Sequence, residues 1–291
     1  MAFLKKILLP VDFSDRSFGA VRYAEALADP ATTEIVLLHV TTPLTHELVA
    51  VDIGGTVLSD IDSDRRADER SQLEAFLKEE LASFKVTRVL AEGDPAHRIT
   101  EYAHKHQVDL IAMPTHGYGL FRRFLLGSVT SKVLHDADCP VWTGVHLEEA
   151  PEAGKIRFRK ILAAVDLCHE PAVRTLKWAN RMAEHFGAEM SVVHAFPSLE
   201  GRAGEYFDPN WRTYFRDMAS TEIGKFQSEV GINKEVIVES GEVDHVVCGL
   251  AAKMGADALV IGRGSAAGVF GRIRAHAYEI IRQSPCPVIS V

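Results

Sequence analysis

Three short stretches of the chain combine residue types that suit a phosphorylated ligand rich in hydrogen-bonding groups. The first is Pro10-Val11-Asp12, a carboxylate just after the apolar run Ile7-Leu8-Leu9. An aspartate at a strand tip can accept from a ribose hydroxyl or an adenine amine, a charge-assisted contact worth about 1.5–3 kcal/mol. The second is Met113-Pro114-Thr115-His116-Gly117, where Gly117 lets backbone come close to a ligand. The third, after nine intervening residues, is Gly127-Ser128-Val129-Thr130, which opens an amphipathic stretch leading to Cys139-Pro140. A Gly-Ser pair at a helix start offers backbone N–H groups, a hydroxyl and the positive end of the helix dipole, all suited to phosphate oxygens. Arg122 and Arg123, between the last two stretches, would add charge near a terminal phosphate. Each feature also has a plainer role. Asp12 serves equally to cap the first helix or its loop, Gly-Ser is an ordinary helix start, and the arginines are typical solvated loop residues.

Such residues act together only if the fold collects them. Short apolar runs alternate with amphipathic stretches, the pattern of βαβ units and a parallel sheet. The predicted strands are Ile7–Val11, Ile35–Val40, Val86–Ala91, Leu110–Met113 and Val141–Gly144, and their near-continuous hydrophobicity implies a sheet covered on both faces. In such sheets ligands sit beyond the carboxyl ends of the strands where the strand order reverses, and all three stretches fall at predicted strand ends. Ser14 is placed to cap the first helix. Leu73, Phe76, Leu77, Leu81 and Phe84 recur at helical spacing as a core-facing stripe.

The pattern occurs twice. Lys6-Ile7-Leu8-Leu9-Pro10-Val11-Asp12 returns as Lys160-Ile161-Leu162-Ala163-Ala164-Val165-Asp166, Gly93-Asp94 as Gly241-Glu242, and Val108-Asp109-Leu110-Ile111 as Ala256-Asp257-Ala258-Leu259. The ends match as well, Asp138-Cys139-Pro140-Val141 against Pro285-Cys286-Pro287-Val288. The expected organisation is therefore a domain over 1–147, a polar linker over 148–158 and a second domain over 159–291. The second copy keeps Val165-Asp166 and Gly262, but Ser265 replaces Gly117 and Ala275-His276 replaces Gly127-Ser128. An added Cβ hinders backbone approach to phosphate, and His276 fills the space. Little or no ATP is expected there, although the run Gly262–Gly271, with Arg272 and Arg274 nearby, leaves another anion or a protein partner open.

Composition narrows the classes. With 47% apolar and 25% charged residues the 291-residue chain reads as globular, and no apolar run approaches the ~18 residues of a membrane span. The N-terminal Phe3–Leu9 segment meets Pro10 and Asp12 too soon for a signal-peptide core and reads as a strand. A net charge of −8 without a basic stripe argues against nucleic-acid binding. Cys139, Cys168, Cys248 and Cys286 form no CxxC pair, which suits a reducing, cytoplasmic setting. His135 and Cys139 lie four apart, too little for a metal site. There is no GxxxxGK[ST] loop, no Ser-Gly-Gly-x-Asp-Ser loop and no His-x-Gly-His turn, so no catalytic residue is assigned.

Pro10-x-Asp12, Leu38-His39-Val40 and above all Pro114-x2-Gly117-x9-Gly127-Ser128 resemble the universal stress protein pattern, whose ATP-binding branch carries G-x2-G-x9-G-[S/T]. The resemblance covers nearly the whole chain as two copies. It implies two Rossmann-like α/β domains of the adenine nucleotide alpha hydrolase-like type, each a five-stranded parallel sheet flanked by helices. It further implies that Pro10, Val11, Asp12 and Val40 surround adenine and ribose, that Met113 lines the base, and that Gly117, Gly127, Ser128, Val129 and Thr130 hold the phosphates of ATP, with or without Mg²⁺. Pro114 departs from the pattern, replacing its first glycine and removing a backbone donor. The expected role is a stress-response regulator that binds adenine nucleotide and a protein partner not identifiable from the sequence. Pairing of the two final strands, as an intramolecular pseudo-dimer, or formation of a homodimer would hide exposed sheet edges. A nucleotide-independent scaffold and a slow ATPase using His116 stay open as alternatives, as does a lid or contact role for the segment 41–60.

Overall fold

Runs of apolar residues too short for helices become the central strands, as seen in a computed structural model that describes residues 3–14, 16–42, 55–115, 126–144, 151–198, 210–263 and 275–291. The backbone divides into two units. The first extends to Val141 and takes in residues 151–155; the second contains Trp142–Gly144 and the chain from Ile156 onward.

The first copy of the pattern forms β1 (Lys6–Pro10), α1 (Arg16–Leu27), β2 (Glu34–Thr41), α2 (Gly55–Ala75), β3 (Lys85–Glu92), α3 (Pro95–Lys105), β4 (Leu110–Ala112), α4 (Ser128–Asp136) and β5 (Val141–Thr143). The strand order is β3-β2-β1-β4-β5. β1 pairs in parallel with β2, Ile7 opposite Ile35, and with β4, Ile7 opposite Leu110; β2 pairs in parallel with β3. Successive residues Ile7, Leu8 and Leu9, like Val36, Leu37 and Leu38, are all buried, which requires cover on both faces of the sheet. The strand order reverses between β1 and β4, where Pro10-Val11-Asp12 and Met113-Pro114 emerge side by side.

The second copy forms β6 (Lys160–Ala164), α5 (His169–Phe186), β7 (Glu189–Phe196), α6 (Trp211–Val230), β8 (Glu235–Ser240), α7 (Val243–Met254), β9 (Ala258–Ile261), α8 (Ala275–Gln283) and β10 (Val288–Ser290). Its order is β10-β9-β6-β7-β8, with every pair parallel. The reversal lies between β6 and β9.

Two repeated residues explain themselves here. Asp109 Oδ2 accepts the Lys5 and Lys6 N–H groups at 2.7 and 2.9 Å, and Asp257 Oδ2 accepts those of Arg159 and Lys160 at the same distances. Each aspartate thus pins the start of one central strand to the approach of its neighbour. Gly93 and Gly241 turn the chain at φ +133° and +155°, and a Cβ at Gly241 would stand 2.8 Å from Val246 Cγ2. One helical expectation is shortened: α2 ends at Ala75, and Leu77 takes a left-handed φ of 55°. Leu73, Leu77 and Leu81 are nevertheless buried, so the stripe is core while its second half is a series of turns.

Candidate functional site

At the end of β1, Asp12 first organises its own loop. Its Oδ1 accepts from the Ser14 N–H at 3.1 Å, the Ser14 hydroxyl at 2.5 Å and the Ser17 hydroxyl at 3.3 Å, an Asx-type turn that leads into α1. Ser14 contributes its carbonyl to Ser17 N–H at 3.0 Å, with its hydroxyl turned to the aspartate. Asp12 is half-buried, and a carboxylate has about four lone-pair sites, so the turn does not exhaust it. Pro10, also half-buried, closes β1, and the buried Val11 donates its N–H to Leu38 O at 2.9 Å. Val40 is half-buried near the end of β2, and Met113 is buried just after β4.

The phosphate-type residues sit at α4. Gly127 caps the helix and spends its own N–H on Thr115 O at 2.8 Å. The Thr130 hydroxyl donates to Pro114 O at 3.1 Å and is buried, so this threonine side chain ties the helix start to the β4 exit. Pro114 therefore takes part through its carbonyl. What α4 presents are the N–H groups of Ser128, Val129 and Thr130, which have no acceptor within the helix, and the exposed Ser128 side chain. Gly127 has φ −59° and ψ 147°, a conformation open to any residue, so the backbone angles do not demand glycine here. Gly117, His116, Arg122 and Arg123 lie outside the described residues.

His39 went unassigned in the sequence pattern. Its Nδ1 lies 2.8 Å from Val11 O, and Phe13, at a left-handed φ of 61°, lies over it with ring centroids 4.3 Å apart. A carbonyl only accepts, so the neutral ring carries its hydrogen on Nδ1 and leaves Nε2 as an acceptor beside the Asp12 turn. The signal was the recurrence of histidine in the same strand of the second copy, where His194 Nδ1 meets Val165 O at 2.9 Å. There Cys168 N–H donates to Asp166 Oδ1 at 2.9 Å, repeating the aspartate turn. Around it, at the ends of β6, β7 and β9, lies a cavity of about 470 Å³. Its walls include Val165, Asp166, Cys168, His194, Gly262 and His276. At Gly262 a Cβ would come within 2.9 Å of Thr175 Oγ1, so glycine permits β9 to exit against α5. Among the described residues no cluster of three or more His, Cys, Asp or Glu side chains could hold a metal, and no helix is long and apolar enough to cross a membrane.

Comparison with known proteins matches residues 4–143 and 157–291, separately, to the model of the universal stress protein family. A universal stress protein of Methanocaldococcus jannaschii is 30% identical over 137 residues, which is 47% of this chain and 79% of that one. One of Bacillus subtilis is 30% identical over 142 residues, 47% of this chain and 95% of that one. A solved universal stress protein structure from Archaeoglobus fulgidus superposes with a TM-score of 0.70 at 25% identity, covering 98% of this chain and 97% of that one. The curated relatives thus correspond to one copy, and the solved structure to both.

Proposed function

This chain belongs to the universal stress protein family, with the domain present twice, and from that premise we propose that its first copy binds ATP or a related adenine nucleotide as a regulatory ligand. The observation that carries the reading is the start of α4. Three N–H groups with no intrahelical acceptor and the exposed Ser128 side chain stand at the sheet's switch point, in the same unit as the Asp12 turn, and Gly127 adds no Cβ in their way. Phosphate oxygens complement those donors, while Val11, Val40 and Met113 provide the apolar wall for a base and Asp12 and His39 provide acceptors for ribose or amine hydrogens. Gly117, with its place in the sequence pattern, completes the proposed set. We take 1–147 and 159–291 as the functional domains, joined by the linker 148–158.

The reading is one of binding, since the sequence carries no recognisable hydrolytic loop, with occupancy altering the surface offered to a protein partner in a stress response. Mg²⁺ would enter with the nucleotide, on its phosphates. Calorimetric titration of the whole chain with ATP and Mg²⁺ tests the site. The expected result is binding that Gly127→Ala, Ser128→Ala and Asp12→Ala each weaken by tenfold or more. The Gly127 backbone angles suit alanine, and urea unfolding of that variant separates loss of the ligand contact from loss of stability. Absence of heat and of any thermal shift in the unaltered protein would overturn the reading in favour of a nucleotide-independent scaffold.

A further inference from the structure

The second copy retains one half of this site and lacks the other. Its cavity of about 470 Å³ falls within the ~300–1,000 Å³ typical of small-molecule sites. The aspartate turn and the strand-end histidine are both repeated, so the Asp166 carboxylate and His194 Nε2 supply acceptors at its wall. Two lining side chains are smaller than their counterparts: in the aligned sequence Ala172 and Leu167 stand where the first copy has Phe18 and Phe13, and both line the cavity. The rest of the lining is largely aliphatic, with Val165, Val193, Ile261 and Ile280 among it.

The half that would receive phosphate differs from the first copy at the start of its last helix, and its described lining carries no cation. Among the described lining residues there is a carboxylate, Asp166, and neither lysine nor arginine. Helix α8 opens with Ala275-His276 in place of Gly127-Ser128, and the exposed His276 lines the cavity mouth. At the start of α5, Glu170 adds an acidic group where the first turn of α1 has none. A phosphate here would meet a carboxylate and an imidazole without a cationic side chain among those residues, and burying an unpaired charge is costly.

We propose that the cavity of the second copy binds a neutral nucleoside-type molecule, an aromatic or apolar body bearing hydroxyl and amine donors and no phosphate. The acceptors at its wall call for donors on the ligand, and its aliphatic lining calls for an uncharged body. The choice of a nucleoside rests on the nucleotide reading of the first copy, whose base-and-ribose half is repeated here; the assignment of a neutral ligand rests on the second copy alone.

Cys168 gives a local readout, being exposed and part of the cavity wall. The experiment follows alkylation of Cys168 by N-ethylmaleimide in the full chain, resolved by peptide mass spectrometry, with adenosine or AMP present. Adenosine at saturation is expected to slow labelling of Cys168 at least tenfold, and AMP to require at least a tenfold higher concentration for the same protection. Ala277→Phe, which fills the cavity from α8, should abolish protection; Ala195→Phe, from β7, does the same should the first variant fail to fold. Ala275→Gly combined with His276→Ser should bring AMP protection close to that of adenosine. No protection by adenosine, or equal protection by AMP in the unaltered chain, would overturn the proposal. Neither result bears on ATP titration of the first copy, which Gly127→Ala reports separately.

Discussion

Asp12 and Asp166 each hold the turn after a central strand and each belong to the site proposed for their copy, so a single substitution can confuse the two duties. Asparagine separates them. In Asp12→Asn the amide oxygen can still accept the Ser14 N–H and hydroxyl, so the turn should survive while nucleotide binding falls; in Asp12→Ala the turn is lost too, at a cost of about 1 kcal/mol. Urea unfolding and calorimetry on both variants check the split, and equal destabilisation by the two would contradict it. The thiols offer a second residue-scale test. Burial pushes Cys248 up to about 12 and Cys286 up to about 11, with the Asp244 carboxylate adding to the first. Both should resist alkylation at pH 8 until the chain unfolds, while exposed Cys168 reacts. The unfolded thiols, at about 9.0, release protons before the folded ones, so their contribution to stability is complete below pH 9 and is lost as pH rises through 11 to 12. Replacing Cys248 with alanine should flatten that alkaline decline in urea melts recorded from pH 8 upward.

The repeated Gly-acid pairs show how element ends differ between copies. Asp94 caps α3, its Oδ1 accepting His97 N–H at 2.9 Å, whereas Glu242 occupies the same extended position before α7 and makes no side-chain cap bond. The longer glutamate side chain is a poorer cap than aspartate. Asp94→Ala should cost about 1 kcal/mol, and Glu242→Asp should add about 0.5 kcal/mol, both measurable by urea unfolding. The His97 backbone bond, followed by the Lys132 ammonium, holds the Asp94 carboxyl below its usual 3.8, so its contribution is present above that value and lost as pH falls through the lower, folded one. Glu34 behaves likewise: the Thr87 hydroxyl, then Lys6, depress its pKa, and Thr87→Val should raise it in an NMR titration.

For the molecule as a whole, two copies of one domain have come to differ at their strand ends while keeping the same sheet order. A ligand that binds only the folded first copy stabilises it by about 2.7 kcal/mol at a concentration of 100 times its dissociation constant. Hydrogen exchange with ATP present should therefore slow in β1, β4 and α4 and leave β6, β9 and α8 unchanged. Equal slowing in both copies would show that nucleotide enters the second cavity as well, or that the copies respond together.

The strands, their parallel arrangement and the repeat were legible in the sequence because burial on both faces forces continuous apolar runs, and a run that recurs with its flanking aspartate marks a strand end twice over. Thus Leu110-Ile111 and Ala258-Leu259 are recognisable as central strands from the sequence. Membership of the family could be read in the same way, from the spacing of Gly117, Gly127 and Ser128. Spacing does not say how hydrogen bonds are shared. Only the tertiary structure decided that Gly127 N–H goes to Thr115 O, that Thr130 secures Pro114, and that His39 and His194 close on the preceding strand, because each partner is distant in sequence and is selected by how α4 docks on the β4 exit or by the register of the sheet. It alone revealed the second cavity, since an open volume depends on what helices and strands leave unfilled between them, and a change such as Phe18 to Ala172 acquires meaning only once α1 and α5 are seen packed on their sheets.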